Sequence, residues 1–236
     1  MRNWAVQTRM AISPPKSRLL RFLYENSMLL VMFVLIVGTL AGQFVTGMQD
    51  YNDELKEMGL AELSAAQYFH SGHFLEATFE NWESEFLQMG LYVVLTIWLR
   101  QKGSAESKAL YEPEEVDDEP RPHKKDAPWP VRVGGLALAI YKQSLSLAFF
   151  LLFFLSMWLH AKGGAEVYSI EQVDQGKEVV STLEYMGTSR FWFESLQNWQ
   201  SEFLSIFSIV LLSIFLRQHG SPESKPVDAA HSETGK

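Results

Sequence analysis

The feature that most constrains this chain is an uninterrupted apolar run near its start. Residues 28–45 include no charged side chain, and a helix needs about 20 mainly apolar residues to cross a bilayer. Backbone groups within hydrocarbon must satisfy their own hydrogen bonds, so such a run predicts a membrane helix. Further apolar stretches occupy residues 145–162 and the segments that end at Arg100 and Arg217. The sequence therefore predicts an all-α membrane protein with four transmembrane helices.

The residues before the first run raise a second interpretation, a cleaved signal peptide. Residues 1–23 carry several arginines and a lysine, as the start of a signal peptide does. However, the run exceeds the roughly 7–15 residues of a signal-peptide core, and no A-x-A cleavage site follows it. We therefore expect an uncleaved anchor that remains as the first helix.

Much of the sequence occurs twice, at a fixed offset of 117 positions. Residues 24–108 align without a gap with residues 141–225. The strongest match pairs NWESEFL at 81–87 with NWQSEFL at 198–204, and each copy ends on a Gly-Ser-x-Glu-Ser-Lys motif. One register held over this length indicates an internal duplication. Because each copy carries two apolar stretches, the fold is predicted as two tandem two-helix repeats with pseudo-twofold symmetry.

The duplication divides the chain into five predicted segments. Each repeat comprises a membrane helix, a polar outer loop and a second membrane helix, which polar side chains at Ser71 and at Thr188 or Ser189 could cap. The segments are a basic N-terminal segment at 1–23, repeat 1 at 24–108, an acidic, proline-rich linker at 109–140, repeat 2 at 141–225 and a tail at 226–236.

The distribution of lysine and arginine predicts the orientation in the membrane. The loop at 48–82 has Lys56 as its one basic residue, and the loop at 163–199 has only Lys177 and Arg190. The N-terminal segment, the linker and the tail are richer in these residues, which favour the cytoplasmic side. Both termini are therefore expected in the cytoplasm, with both loops outside and the repeats parallel.

Composition excludes several classes of function. The chain has no cysteine, so disulfides, thiolate metal sites and cysteine nucleophiles are ruled out. Its formal net charge of −8 argues against a nucleic-acid partner. No Ser–His–Asp or kinase-like residue set is visible, and we expect neither an enzyme nor a cofactor. His70 and His73 have metal-ligand spacing, but the second repeat does not share it, so no metal site is predicted.

Several polar residues within the predicted spans could line a chamber. The duplicated glutamate lies about 22 Å along the helix from the arginine that ends it, still inside a hydrocarbon core of about 30 Å. The duplicated asparagine four positions earlier shares its helix face. The first helices supply an amide and an imidazole at equivalent positions. The candidate polar chamber comprises Glu85, Glu202, Asn81, Asn198, Gln43 and His160.

Two interpretations of this chamber remain open. Hydroxyl, amide and carboxylate groups often hold membrane helices together by hydrogen bonds. Alternatively, an ionisable residue in a membrane is costly and often marks a path for ions. On the second interpretation Glu85, Glu202 and His160 would bind a cation or relay protons.

The chain also resembles a known family. Residues 71–89, SGHFLEATFENWESEFLQM, together with the Arg-Gln-x-Gly-Ser-x-Glu-Ser-Lys motif beyond the helix, resemble an uncharacterised family of bacterial polytopic membrane proteins catalogued as a domain of unknown function. The resemblance covers most of the chain. It implies the bacterial cytoplasmic membrane and brings no activity, cofactor or catalytic residue.

The sequence thus predicts an integral membrane protein with a non-catalytic structural, accessory or envelope-sensing function. A small proton or cation transporter or channel that uses the duplicated glutamates is the alternative. The predicted partners are the lipid bilayer and a protein that the sequence does not identify. A second copy of the chain is a further candidate partner, because a homodimer would bury more of the polar residues of the candidate chamber.

Overall fold

The computed structural model of the chain describes residues 17–235. Within that range every regular element is helical and no β-strand occurs, which confirms the prediction of an all-α protein. Positions 1–16 of the predicted basic segment and Lys236 of the predicted tail lie outside the described residues. The chain divides into two compact units, Met1–Glu62 and Leu63–Lys236.

The first unit consists of a short helix and a long one. α1 spans Arg18–Glu25, and α2 spans Ser27–Glu57 and contains the first apolar run. We expected this membrane helix to end near Val45, but it continues to Glu57. No proline interrupts residues 46–57, so nothing in the polar segment stops the helix.

The end of α2 follows from one glycine. Gly59 has φ +72°, a left-handed conformation that glycine adopts without a steric penalty. Its N–H donates to the carbonyl of Lys56 at 2.9 Å, and the N–H of Leu60 donates to that of Leu55 at 2.8 Å. These two bonds form the Schellman motif that satisfies the last carbonyls of a helix.

The second unit contains three long helices. α4, α7 and α9 are joined by turns and shorter helices, and a 3-10 turn at Glu115–Asp117 lies in the linker. Its α-helices are α3 at Ala65–Phe69, α4 at Gly72–Trp98, α5 at Trp129–Val133, α6 at Gly135–Lys142, α7 at Ser144–Asp174, α8 at Thr182–Met186 and α9 at Ser189–Phe215.

Helix boundaries recur at the offset seen in the sequence. The first and last residues of α1, α2, α3 and α4, each increased by 117, are those of α6, α7, α8 and α9. The glycine that ends α2 also has a counterpart in Gly176, φ +75°, after α7. The same series of four helices therefore occurs at two places in the described part of the chain.

The predicted N-terminal caps of α4 and α9 are confirmed. The hydroxyl of Ser71 accepts from the N–H of Phe74 at 3.3 Å, and that of Thr188 accepts from the N–H of Phe191 at 3.3 Å. Each bond satisfies one of the free N–H groups in the first turn.

Glycines allow α4 to pack closely against α7. The two helices run antiparallel, so that Gly72 of α4 lies against Gly163 and Gly90 lies against Phe150. A Cβ on Gly163 would lie 2.5 Å from the backbone nitrogen of Glu76, closer than such atoms approach. Small residues at a crossing bring two backbones together and strengthen their packing in a membrane. α9 packs on α4 as well, so α4 is the central helix of this unit.

Three helices in the described range are long and apolar enough to cross a membrane: α2, α7 and α9. We predicted a fourth span ending at Arg100. The corresponding helix α4 carries Glu76, Glu80, Glu83 and Glu85 and does not meet that measure. Its glutamates are accommodated because protein surrounds part of the helix, and both Glu76 and Glu83 are buried.

A turn closed by a hydrogen bond to a serine hydroxyl, called a serine turn below, follows each of α4 and α9. The Ser107 hydroxyl accepts from the N–H of Gln101 at 3.0 Å, and the Ser224 hydroxyl accepts from the N–H of Gln218 at 2.9 Å. The repeated Gly-Ser-x-Glu-Ser-Lys motif thus folds into the same turn twice.

The segment that follows the second turn packs against the first. Gly235 donates its N–H to the carbonyl of Ser104 at 3.0 Å, and Gly103 donates to the hydroxyl of Thr234 at 2.9 Å. The buried ammonium of Lys225 donates to three carbonyls of this segment, at Ala230, His231 and Glu233. These bonds hold the segment after α9 against the end of α4.

Candidate functional site

A buried group of ionisable side chains lies where α4, α7, α8 and α9 meet. His160 and Glu83 are each 0% exposed, and Glu76 is 7% exposed. Tyr185 is also fully buried, while Glu194 retains slight exposure. We call Glu76, Glu83, His160, Tyr185 and Glu194 the His160 cluster.

Helical spacing places the acidic side of this cluster on α4. Glu76, Glu80 and Glu83 follow one another at intervals of four and three, so they lie on one face of the helix. That face is turned towards His160 of α7 and Asn198 of α9. Two of the four glutamates of α4, Glu76 and Glu83, therefore belong to the His160 cluster.

A short capped helix positions Tyr185. Ser181 and Glu184 form a reciprocal capping box that starts α8. The tyrosine ring then lies against Gly164 of α7, where any Cβ would overlap the ring. The position of the Tyr185 ring therefore requires glycine at residue 164.

The two ring nitrogens of His160 have different surroundings. Nδ1 is 3.1 Å from Oε2 of Glu83, whose other oxygen accepts from Nε1 of Trp199 at 3.2 Å. Nε2 is buried and makes no hydrogen bond within the described residues, although it lies 3.5 Å from Oε2 of Glu194. The ring of Phe191 covers the imidazole at 5.0 Å between centroids.

Tyr185 bridges two carboxylates. Its hydroxyl lies 2.5 Å from Oε2 of Glu194 and 3.2 Å from Oε1 of Glu76. Burial raises the pKa of Tyr185, and its bond to Glu194 raises it further, so the hydroxyl remains a donor. Tyr185 has one hydroxyl proton to donate to two carboxylates. Glu76 and Glu194 therefore offer more acceptor oxygens than Tyr185 can satisfy.

Arg190 and Asn198 complete the surroundings of the cluster. Arg190 donates from Nε to Glu194 at 2.9 Å and from a terminal nitrogen to Glu171 at 2.6 Å. Asn198 donates to Glu80 at 2.5 Å. The one guanidinium therefore faces two carboxylates, and the cluster as a whole has more acidic than basic groups.

One arrangement within the cluster has the form of a metal site. A ligand atom from each of Glu76, His160 and Glu194 lies within 4.8 Å of the other two. Glu83 lies on the other side of the imidazole, beside Nδ1, whereas Nε2 is the nitrogen that faces Glu194.

The predicted chamber residues are found in several places. His160 is at the centre of the cluster, and Asn198 is at its edge. Glu85 is exposed, and Asn81 is exposed with its amide bonded to Ala77 of its own helix at 2.9 Å. The remaining two are half-buried: Glu202, which accepts from Gln88 at 2.5 Å through its backbone carbonyl, and Gln43, which belongs to the first unit.

Sequence reasoning did not single out most of the cluster. It gave weight to residues that the two copies share, whereas the equivalents of Glu76, Glu83 and Glu194 at the offset of 117 are Phe193, Gln200 and Ala77. The usable signal was the spacing of Glu76, Glu80 and Glu83 along one helix face.

The comparisons with known proteins identify a family. The chain belongs to the family described as Domain of unknown function (DUF6766), whose model matches residues 19–236. No curated protein and no solved structure matched the chain.

Proposed function

We propose that this member of the DUF6766 family is a four-span protein of the bacterial cytoplasmic membrane, built from two tandem two-helix repeats with pseudo-twofold symmetry. The identical offset of four helices supports the duplication. Gln88 also bonds to Ser205, its own equivalent 117 positions on, at 2.6 Å. Such a contact is what a twofold relation between α4 and α9 would produce near its axis.

The packing of α4 supports its assignment as the fourth span. Gly90 of α4 lies against Phe150 of α7, and Glu83 of α4 lies against His160. The part of α4 beside the apolar stretch of α7 therefore starts near Glu83 and runs to the end of the helix. If α7 crosses the bilayer, α4 crosses beside it with its polar face against protein, as membrane proteins require.

Topology can be tested directly because the chain has no native cysteine. Single cysteines at Glu57 and Glu178 are expected to react with an impermeant thiol reagent in intact cells, and one at Glu115 only after lysis. This follows from the low lysine and arginine content of the two outer loops. Labelling of Glu115→Cys alone in intact cells would reverse the proposed orientation.

The function we propose is non-catalytic, that of an accessory or envelope-sensing protein whose bundle holds the outer segments in place. The observation that carries it is that polar groups of α4 and α9 bond to one another across the helices. Gln88 bonds to Ser205, Glu80 to Asn198 and Glu83 to Trp199. Paired groups of this kind fix a helix arrangement, whereas an ion path needs groups that are open to water.

Cation transport is the second candidate, and the His160 cluster favours it. Acidic groups exceed basic ones there, and His160 is two residues from the end of the apolar stretch at 145–162. A site at this depth would be reached from the outer side.

Ion flux in proteoliposomes distinguishes the two candidates. The accessory function predicts that proton and cation flux with the native protein equals that of protein-free vesicles. The matched variant is Glu85→Gln/Glu202→Gln, with His160→Gln as a second comparison. Flux with the native protein that either variant abolishes would replace the accessory function by transport and would assign the path to the altered residues.

A further inference from the structure

We infer that Glu76, His160 and Glu194 form a binding site for one divalent transition-metal ion, for which Zn²⁺ is a suitable probe. The three side chains come from α4, α7 and α9, and their ligand atoms converge within 4.8 Å. Metal binding here would tie the three long helices of the second unit together. This inference does not depend on whether the protein transports ions.

The distance between two of the three ligands suits a tetrahedral ion. Nitrogen and oxygen ligands lie about 2.0–2.2 Å from Zn²⁺, so two ligands at a tetrahedral angle are about 3.4 Å apart. Nε2 of His160 and Oε2 of Glu194 are 3.5 Å apart. Glu76 comes close to this pair through Tyr185, with which both carboxylates are in contact.

The surroundings of Nε2 of His160 are a second indication. Nε2 of His160 is fully buried, points towards Glu194 and makes no hydrogen bond in the described residues. Burying a polar atom without a partner is costly, and native proteins rarely leave one so. A metal ion at this position would give the nitrogen its partner.

The other ring nitrogen of His160, Nδ1, has the kind of hydrogen-bond partner that metal-binding histidines usually have. Such histidines usually donate their second N–H to a carboxylate, which fixes the ring and makes it a better ligand. Glu83 takes that position at 3.1 Å from Nδ1, and Trp199 holds Glu83 in turn. The ligating carboxylates are also held, Glu194 by Arg190 and both by Tyr185.

Charge in the cluster favours a divalent cation. Five carboxylates lie in and beside it, at Glu76, Glu80, Glu83, Glu171 and Glu194, against one guanidinium and one imidazole. Buried carboxylates need a nearby counter-charge, and a bound cation supplies it. One imidazole and two carboxylates suit zinc, manganese or ferrous iron rather than a metal that prefers sulfur.

The site should occur once per chain. At the offset of 117 the equivalents of Glu76, His160 and Glu194 are Phe193, Gln43 and Ala77. The ligand set is therefore present once, and a binding stoichiometry of one is expected.

Calorimetry and thermal unfolding on the full-length protein in detergent test the inference. After treatment with a chelator, the native protein is expected to bind about one Zn²⁺ and to unfold at a higher temperature with zinc than without it. His160→Gln and Glu194→Gln are expected to lose both effects. Glu83→Gln should keep the stoichiometry and bind about 10–100-fold more weakly, as the loss of an outer hydrogen bond does.

Glu85→Gln is the matched control, since it removes an exposed carboxylate from the same helix. It should bind zinc like the native protein, and far-ultraviolet circular dichroism checks that every variant is folded. Absence of zinc binding by the native protein would overturn the inference, whatever the variants do. Binding that His160→Gln retains, or that Glu85→Gln weakens equally, would also overturn it and would identify adventitious zinc.

Discussion

Replacing His160 by alanine is expected to lower the free energy of unfolding by about 3–5 kcal/mol. The side chain is fully buried beside Glu83 and Glu194, and its loss leaves the Glu83 carboxylate buried without the imidazole that contacts it. A buried charge that loses its partner is far more costly than the pair was favourable. Reversible unfolding in mixed detergent and dodecyl sulfate micelles, followed by circular dichroism with a chelator present, measures the difference.

The double variant His160→Leu/Glu83→Met serves as the control for this interpretation. Replacing a buried ion pair by apolar residues of similar volume is often neutral or stabilising. The double variant is therefore expected to be more stable than His160→Ala, although Trp199 loses its acceptor. If the double variant is the less stable of the two, lost packing and not an unpaired charge explains the effect of His160→Ala.

Gly163→Ala is expected to destabilise the protein by about 1–3 kcal/mol, the range for overpacking a close contact. The added Cβ would lie 2.5 Å from both the nitrogen of Glu76 and the carbonyl oxygen of Gly72. Both are backbone atoms of α4, so the helices must separate to admit the methyl group. The same unfolding assay measures the loss, and zinc affinity should fall with it because Glu76 moves away from α7.

Gly38→Ala provides the matched comparison in another long helix. A Cβ at Gly38 meets nothing within 4 Å, and alanine favours a helix over glycine by about 1 kcal/mol. This variant is therefore expected to be as stable as the native protein or more so. Equal losses at Gly38 and Gly163 would show that the crossing of α4 and α7 is not the cause.

Local signals in the sequence predicted the local structure well. The caps at Ser71 and Thr188 depend on residues next to the helix, and both are present. The length of α2 and α7 was underestimated because hydropathy reports where a helix is apolar, not where it stops. Their ends are set by Gly59 and Gly176, whose left-handed conformations complete the last turns.

The site was less accessible to sequence reasoning because it depends on contacts between distant helices. His160 was recognised as a polar residue in an apolar stretch, but its partner is Glu83 and not the duplicated Glu85. Two positions along a helix turn a side chain to the opposite face, so that Glu85 is exposed while Glu83 is buried. Glycines at the crossing of α4 and α7 allow one face of α4 to approach α7 closely. This effect can be recognised only when the positions of both helices are known.

The contact between the first serine turn and the segment that follows the second also has a consequence for biosynthesis. The N–H of Gly103 bonds to the hydroxyl of Thr234, 131 positions further along the chain. The end of α4 therefore leaves the ribosome well before its bonding partner exists, and long-range contacts of this kind form late. Formation of the earlier helices and closure of this contact after α4 are thus separate events in time. During that interval the N–H of Gly103 lacks the hydroxyl of Thr234 as its acceptor.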